Sequence, residues 1–343
     1  MAESPDLETW QNIADAANWT GLLVGNGASI AVWDEFRYQS LFDVATSDRV
    51  DGPLGDEDGA LFDAFDTTNF ELVLASLKTA RVVAEALDAD MSVLEARYNS
   101  IQHALFQAVH EVHVPWNYVG HRVIPKLHKI LREHKFVYST NYDLLAYWAS
   151  MQQGGTGFLD FFWTAGNSFD PLNTEVWESR DLWTRLFFLH GGIQLRRVQG
   201  GGTRKVTAES GYLLDQFETG FTGDESPLLI SEGTSADKLK SILSSDYLAF
   251  AHSEFTHHEG GLVVFGHALS EADDHLVKPM KAWRGNPIAV SLRPSANDAD
   301  TIEAKARVRG RLAPLQDIVF FDATTHPLGS EDLRARRPRF PLR

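Results

Sequence analysis

Short β-rich apolar runs alternate along this chain with stretches of helical apolar spacing. The runs are Gly21 to Val24, the segment FVYSTNYD from Phe136 to Asp143, Leu186 to Leu189, and the later GLVVFGHAL, PIAVSL and DIVFFDA. The first three end abruptly in Gly, Ser, Asn, Asp or His, as a strand closed by a turn does. From about Phe70 to Glu133, ELVLASLKTARVVAEAL, LEARYNSIQHALFQAVHEV and VIPKLHKILREH keep helical spacing with no strand among them. This predicts a helical insertion over residues 60–134, between two strands of one sheet. Residues 4–17 predict an opening amphipathic helix, with Ser4 as cap and Pro5 in the first turn. Further helices are predicted from about Asp143 to Met151 and near 236–256, 271–284 and 296–309. VQGGGTRKV, residues 198–206, reads as a hairpin tip or loop, and the acidic, Gly-rich DRVDGPLGDEDG as an exposed loop. Strand and helix alternation predicts an α/β fold, a Rossmann-like doubly wound parallel sheet, with residues 1–343 as one domain.

Composition narrows the function classes. At 343 residues and 43% hydrophobic content the chain can bury a sizeable core. A net charge of -16 argues against a nucleic-acid binder, because phosphate recognition leans on Lys and Arg. The Arg-rich segment 331–343 reads as a basic tail with no catalytic part. The chain has no Cys, which excludes disulfides, Cys-based zinc ribbons and a cysteine nucleophile. No apolar run reaches the length of a membrane span and the start lacks a signal-peptide pattern, so a cytoplasmic protein with no membrane contact is expected.

The candidate chemistry sits at strand ends, where ligands bind in α/β sheets. After Gly21 to Val24 comes Gly25, Asn26, Gly27, Ala28, Ser29. Two glycines there let a backbone approach a pyrophosphate at a helix start, or serve a turn that needs φ > 0; the third glycine of GxGxxG is replaced by Ile30. Ser139, Thr140, Asn141, Tyr142 and Asp143 close the next strand. Asn141 and Asp143 present two polar groups to one expected open crevice, or cap the helix that follows. His190, before Gly191 and Gly192, is either a structural hydrogen-bonding group or a base with a suitable pKa range. His257 with His258, or His267 with Asp274 and His275, suggest metal ligands only loosely, and no metal is expected.

In order, GNGAS, STNYD and LHGG resemble the sirtuin-type NAD-binding fold, which carries a Gly-rich turn, an Asn-x-Asp element and a His-Gly element in that sequence. FGHALSEADDH and NFELVLASL extend the match over most of residues 20–295, and the whole looks like the sirtuin-like bacterial proteins related to NAD-consuming effectors of anti-phage defence. The resemblance implies that Gly25, Asn26, Gly27 and Ser29 lie along the pyrophosphate and that Asn141 and Asp143, beside Thr140, face the nicotinamide ribose. It implies that His190 is the base, that Gly266 and His267 border the adenosine side, and that Ser291 lies nearby. Phe36 and Arg37 echo a Phe-Arg pair over the nicotinamide pocket. Deacylating sirtuins usually carry a zinc module built on four Cys, so a zinc ribbon and protein deacylation are disfavoured here.

What the resemblance implies is an NAD glycohydrolase, with NAD as substrate and no metal, cleaving it to nicotinamide and ADP-ribose. Such an activity needs restraint, so a homo-oligomer or a defence partner (an ATPase, a helicase or an Argonaute-like protein) is expected. The alternative is a non-catalytic sensor that binds NAD or an ADP-ribose derivative.

Overall fold

The computed structural model describes residues 4–37, 41–50, 53–173, 183–198, 201–207, 213–214, 225–230, 234–283, 286–314 and 317–336. Seven parallel strands form its central sheet: β1 (Gly21–Val24), β2 (Phe136–Ser139), β3 (Phe158–Leu159), β4 (Thr184–Phe188), β8 (Leu262–Phe265), β9 (Ile288–Leu292) and β10 (Ile318–Asp322). A smaller antiparallel sheet holds β5 (Gly191–Val198), β6 (Thr203–Lys205) and β7 (Glu225–Leu229). The order across the large sheet is β10-β9-β8-β1-β2-β4-β3. From β1 the chain moves outward through β2 to β3 and β4, then crosses back to β8 and runs outward the other way. The direction of winding therefore reverses between β1 and β8, the arrangement of a Rossmann-like sheet.

All four residues of β1 are buried, as are those of β8. Continuous apolar runs of this kind belong to strands covered on both faces, which is why they show no alternation in the sequence. Between β1 and β2 the described residues form helices only, including Asp56–Ala64, Phe70–Ala86, Ser92–Val112 and Ile124–Leu131. The helical block expected at 60–134 is thus helical throughout its longer segments and starts earlier, with a short helix at Leu41–Ala45.

Two expectations change. The opening segment is helical only at Trp10–Ile13, and Ser4 Oγ bonds Asp6 instead of capping a helix. The unpaired backbone of the β10 edge explains this: Glu8 N–H donates to Phe320 O and Glu8 O accepts from Asp322 N–H, holding the segment extended. The helix expected at 236–256 is two helices, Ser235–Leu243 and Asp246–Thr256, separated where Ser245 accepts from Leu248 N–H as a new N-cap. Residues 198–206 do turn back in a hairpin, β5 to β6, whose positions 199–200 lie outside the described residues, as do positions 337–343 of the basic tail. No described helix is long and apolar enough to cross a membrane.

Several core histidines are held neutral. Burial pulls His113, His134 and His258 from 6.5 down to about 4, and His326 to about 3. His113 Nε2 accepts Leu144 N–H, a bond that requires the neutral ring. Below pH 6.5 these imidazoles protonate in the unfolded chain while the fold resists, so the unfolded state binds more protons. Their contribution is complete above the unfolded value and is lost as pH falls. The urea midpoint is therefore expected to drop continuously from about pH 7 to about pH 4.5; a midpoint unchanged across that range would contradict the neutral-histidine core.

Candidate functional site

Strand register sets the site. Val24 lies opposite Ser139 on one side and Phe265 on the other, and Ser139 lies opposite Phe188. The residues that follow, Gly25, Thr140, Gly266 and Leu189, consequently form a row along the carboxyl edge of the sheet, centred on the reversal of winding.

At that centre two turns touch backbone to backbone. Gly25 N–H donates to Phe265 O (2.9 Å) and Gly27 N–H to Gly266 O (2.8 Å). A Cβ on Gly25 would lie 2.6 Å from Gly266 O, and one on Gly266 would lie 2.5 Å from Ala28 N, with Gly266 itself at φ +66°. Gly25 has an extended φ of -108°, so its need for glycine comes from close approach and not from a left-handed turn. Asn26 is exposed, and its amide donates to Phe36 O.

Asn141, Ser29 and Asp143 form one buried chain of bonds. The Asn141 amide donates to Gly25 O (3.1 Å) and to Ser29 Oγ (2.8 Å). Ser29 Oγ donates to Asp143 Oδ2 (2.5 Å), and Asp143 Oδ1 accepts Leu145 N–H (2.8 Å) at the start of helix Leu145–Ser150. The expected open crevice is thus corrected: Asn141 and Asp143 are buried, because the two turns and Ser29 close over them. Asp143 caps the helix and holds the network at once. Its burial raises the carboxyl pKa, against the lowering effect of the Ser29 and Leu145 bonds. Thr140 turns back to β1, its N–H and Oγ1 both donating to Val24 O.

His190 is also buried, and its Nε2 lies 2.8 Å from His275 Nε2. His275 N–H donates to Ser235 Oγ (2.8 Å), and its Nδ1 lies 3.3 Å from the same oxygen. Asp273 sits beside them, bonded by Lys238 Nζ (3.0 Å) and Ser270 Oγ (2.7 Å), with His267 Nε2 at 4.0 Å. Burial first, then His275 and Lys238, hold His190 well below the usual imidazole range, while Asp273 opposes them. The adjoining Gly191 has φ +72°, and a Cβ there would lie 2.1 Å from Leu228 O, so the His-Gly turn is fixed by entry into the small sheet.

His190, Asp273 and His275 each bring a ligand-type atom within 4.8 Å of the others. Lys238 already neutralises the Asp273 carboxylate, so a divalent ion would face an ammonium group at the same oxygen pair. The grouping loosely suggested by sequence does not form, since Asp274 pairs instead with Arg311. Of the other suggested pair, His257 is exposed and His258 buried.

A cavity of about 340 Å³ opens at the ends of β1, β8 and β9. Gly27, Gly266 and Ser291 line it, together with Arg37, Arg293 and Arg334 and the carboxylates Asp34 and Glu331. Arg37 pairs with Asp34 and Arg334 with Glu331, whereas exposed Arg293 has no ion-pair partner among the described residues. Ser291 Oγ accepts Gly266 N–H (3.0 Å). Phe36 is buried against His113, so of the Phe36–Arg37 pair only Arg37 reaches the cavity. Neither Asn141 nor His190 lines it. A second cavity of about 710 Å³ is acidic, lined by Asp63, Asp66, Asp237 and Glu271, and also by Ser235.

Fold and site together define an α/β protein with a Rossmann-like sheet and a basic cavity where its winding reverses. Residues 22–328 match a family described as a domain of unknown function, DUF4917, and the chain belongs to that family. A search of curated proteins finds no match to it.

Gly266→Ala is expected to cost at least about 2 kcal/mol, since it combines a left-handed φ with a clash against backbone. Chemical denaturation would measure this; a wild-type midpoint would mean that the two turns are not locked together.

Proposed function

We propose that the protein binds NAD at the reversal between β1 and β8 and hydrolyses it to nicotinamide and ADP-ribose. The observation that supports this best is the basic cavity. It lies where Rossmann-like sheets take nucleotides, its size suits part of such a ligand, and its three arginines outnumber its two carboxylates, Asp34 and Glu331, on a chain of net charge -16. In this reading the phosphates meet Arg293 and Arg37, and Gly27, Gly266 and Ser291 form the wall against the adenosine half. His267, directed toward Asp273, stands behind that wall.

Cleavage breaks the bond between the ribose anomeric carbon and the nicotinamide nitrogen. The bonding electrons leave with nicotinamide, which departs neutral and needs no proton. Water adds to the anomeric carbon and loses one proton, for which His190 is the acceptor. Asn141 orients the ribose, and Asp143 positions Asn141 through Ser29. These groups are buried at neighbouring strand ends, so binding must open the turns over them. A resting state closed over its reacting groups suits an enzyme that draws on the shared NAD pool, with a homo-oligomer or a defence partner supplying the opening.

A sensor that binds NAD or ADP-ribose without cleaving it is the second reading. The Asn141 amide and His190 Nε2 already have partners inside the protein, which favours it.

Arg293→Ala should weaken NAD or ADP-ribose binding by about tenfold or more, the value of one charge-assisted contact to phosphate. Calorimetry checks this, and unchanged affinity would move the ligand out of the basic cavity. Asn141→Ala should lower nicotinamide release by at least about two orders of magnitude while the protein stays folded. Mass spectrometry of released nicotinamide reads the outcome; release at the wild-type rate would leave Asn141 a purely structural link between turns.

A further inference from the structure

Hydrolysis of NAD releases one proton, and His190 would receive it at a buried position. The residues around His190 supply a way out. Its Nε2 faces His275 Nε2 at 2.8 Å, and the other ring nitrogen of His275 faces Ser235 Oγ at 3.3 Å. Ser235 is half-buried and lines the acidic cavity of about 710 Å³. Three side chains from three parts of the chain thus bridge the strand end to an open acidic hollow lined by Ser235.

We propose that His190, His275 and Ser235 form a proton exit from the reaction site to the acidic cavity. This rests on His190 acting as the base. At rest, His190 carries its proton on Nε2 and donates to His275 Nε2, leaving Nδ1 open to the reacting water. His275 carries its proton on Nδ1 and donates to Ser235 Oγ, which also accepts the His275 backbone N–H and so turns its own hydrogen toward the cavity. When water attacks, its proton moves to His190 Nδ1. The Nε2 proton then passes to His275 Nε2, the His275 Nδ1 proton to Ser235 Oγ, and the Ser235 proton to solvent. One proton enters, one leaves, and no residue changes its final charge; both rings end in the opposite tautomer, and their return to the resting pair closes the cycle.

The surroundings favour passage over storage. Asp273, Lys238, His267 and His252 face the two rings. Lys238 and Ser270 occupy both Asp273 oxygens, so that carboxylate is poorly placed to keep the proton. The cavity carboxylates Asp63, Asp66, Asp237 and Glu271 draw positive charge toward the far end. In this account His275 and Ser235 are positioning residues, acting on the reaction only through His190.

Nitrogen-15 histidine NMR on the wild-type protein tests the resting arrangement without any substrate. The expected tautomers are Nε2–H for His190 and Nδ1–H for His275. The reverse pair would overturn the exit, and so would capture of both rings by one equivalent of added zinc, which would make the cluster a metal site. Kinetics test the transfer itself. His275→Ala should lower kcat for nicotinamide release at least about tenfold with KM nearly unchanged, and added imidazole should restore most of the loss. Ser235→Ala should lower kcat severalfold and serves where His275→Ala fails to fold. A folded His275→Ala protein that turns over normally, or whose loss imidazole cannot restore, would remove the route. If the wild type cleaves no NAD, the proposed function falls, and the tautomers still decide the hydrogen-bonded chain on their own.

Discussion

The close contact of two glycine turns, Gly25–Gly27 and Gly266, organises everything at the carboxyl edge of the sheet. With Gly27 N–H on Gly266 O and no side chain between the turns, the ends of β1 and β8 are held at backbone distance. That spacing brings Ser29 under Asn141 and places His267 and Asp273 within reach of the turn that carries His190. It also leaves Gly27 and Gly266 as one wall of the basic cavity. A methyl group at Gly25 or Gly266 would push the two halves of the sheet apart, and the polar network of Asn141, Ser29 and Asp143 would lose its geometry.

Much of the architecture was legible in the sequence, for a definite reason. A parallel strand buried on both faces must be apolar throughout, and it must stop where polar turn residues begin, so Val24–Gly25, Ser139–Thr140 and the end of the LFFLH run marked both the strands and the ends that line the candidate site. The edge strand Phe158–Leu159 has too few residues to leave such a mark. The opening helix is shorter than its apolar spacing predicts, because that spacing cannot reveal that the β10 edge offers backbone partners to Glu8. The two-residue spacing of Asn141 and Asp143 suggested a polar pair in a crevice or a helix cap. The structure uses Asp143 as a cap and Asn141 as a tie, because Ser29, from 112 positions away in the chain, closes the network over both.

The partners of His190 were harder to foresee. Ser235 and Lys238 project from one helix, Asp273 and His275 from the start of another, and only the tertiary fold brings them beside His190 in the turn after β4. The segment SEADDH carries three acidic residues before His275, and the sequence does not say which of them turns inward. Asp273 does so because Lys238 and Ser270 can satisfy it there, and Asp274 turns out to Arg311. Charge is likewise distributed in a way that composition conceals: an acidic chain gathers Arg37, Arg293 and Arg334 at one cavity, beside Asp34 and Glu331, and lines another with four carboxylates and no arginine or lysine.

In the proposed reaction the anionic phosphates are held at the arginine-bearing cavity and the proton is discharged at the acidic one. The most direct test of the account is the fate of NAD incubated with the full chain in ¹⁸O-labelled water. The account predicts free nicotinamide and ADP-ribose with one labelled oxygen at the anomeric carbon; NAD that binds but is recovered intact, with no label and no nicotinamide, would contradict it.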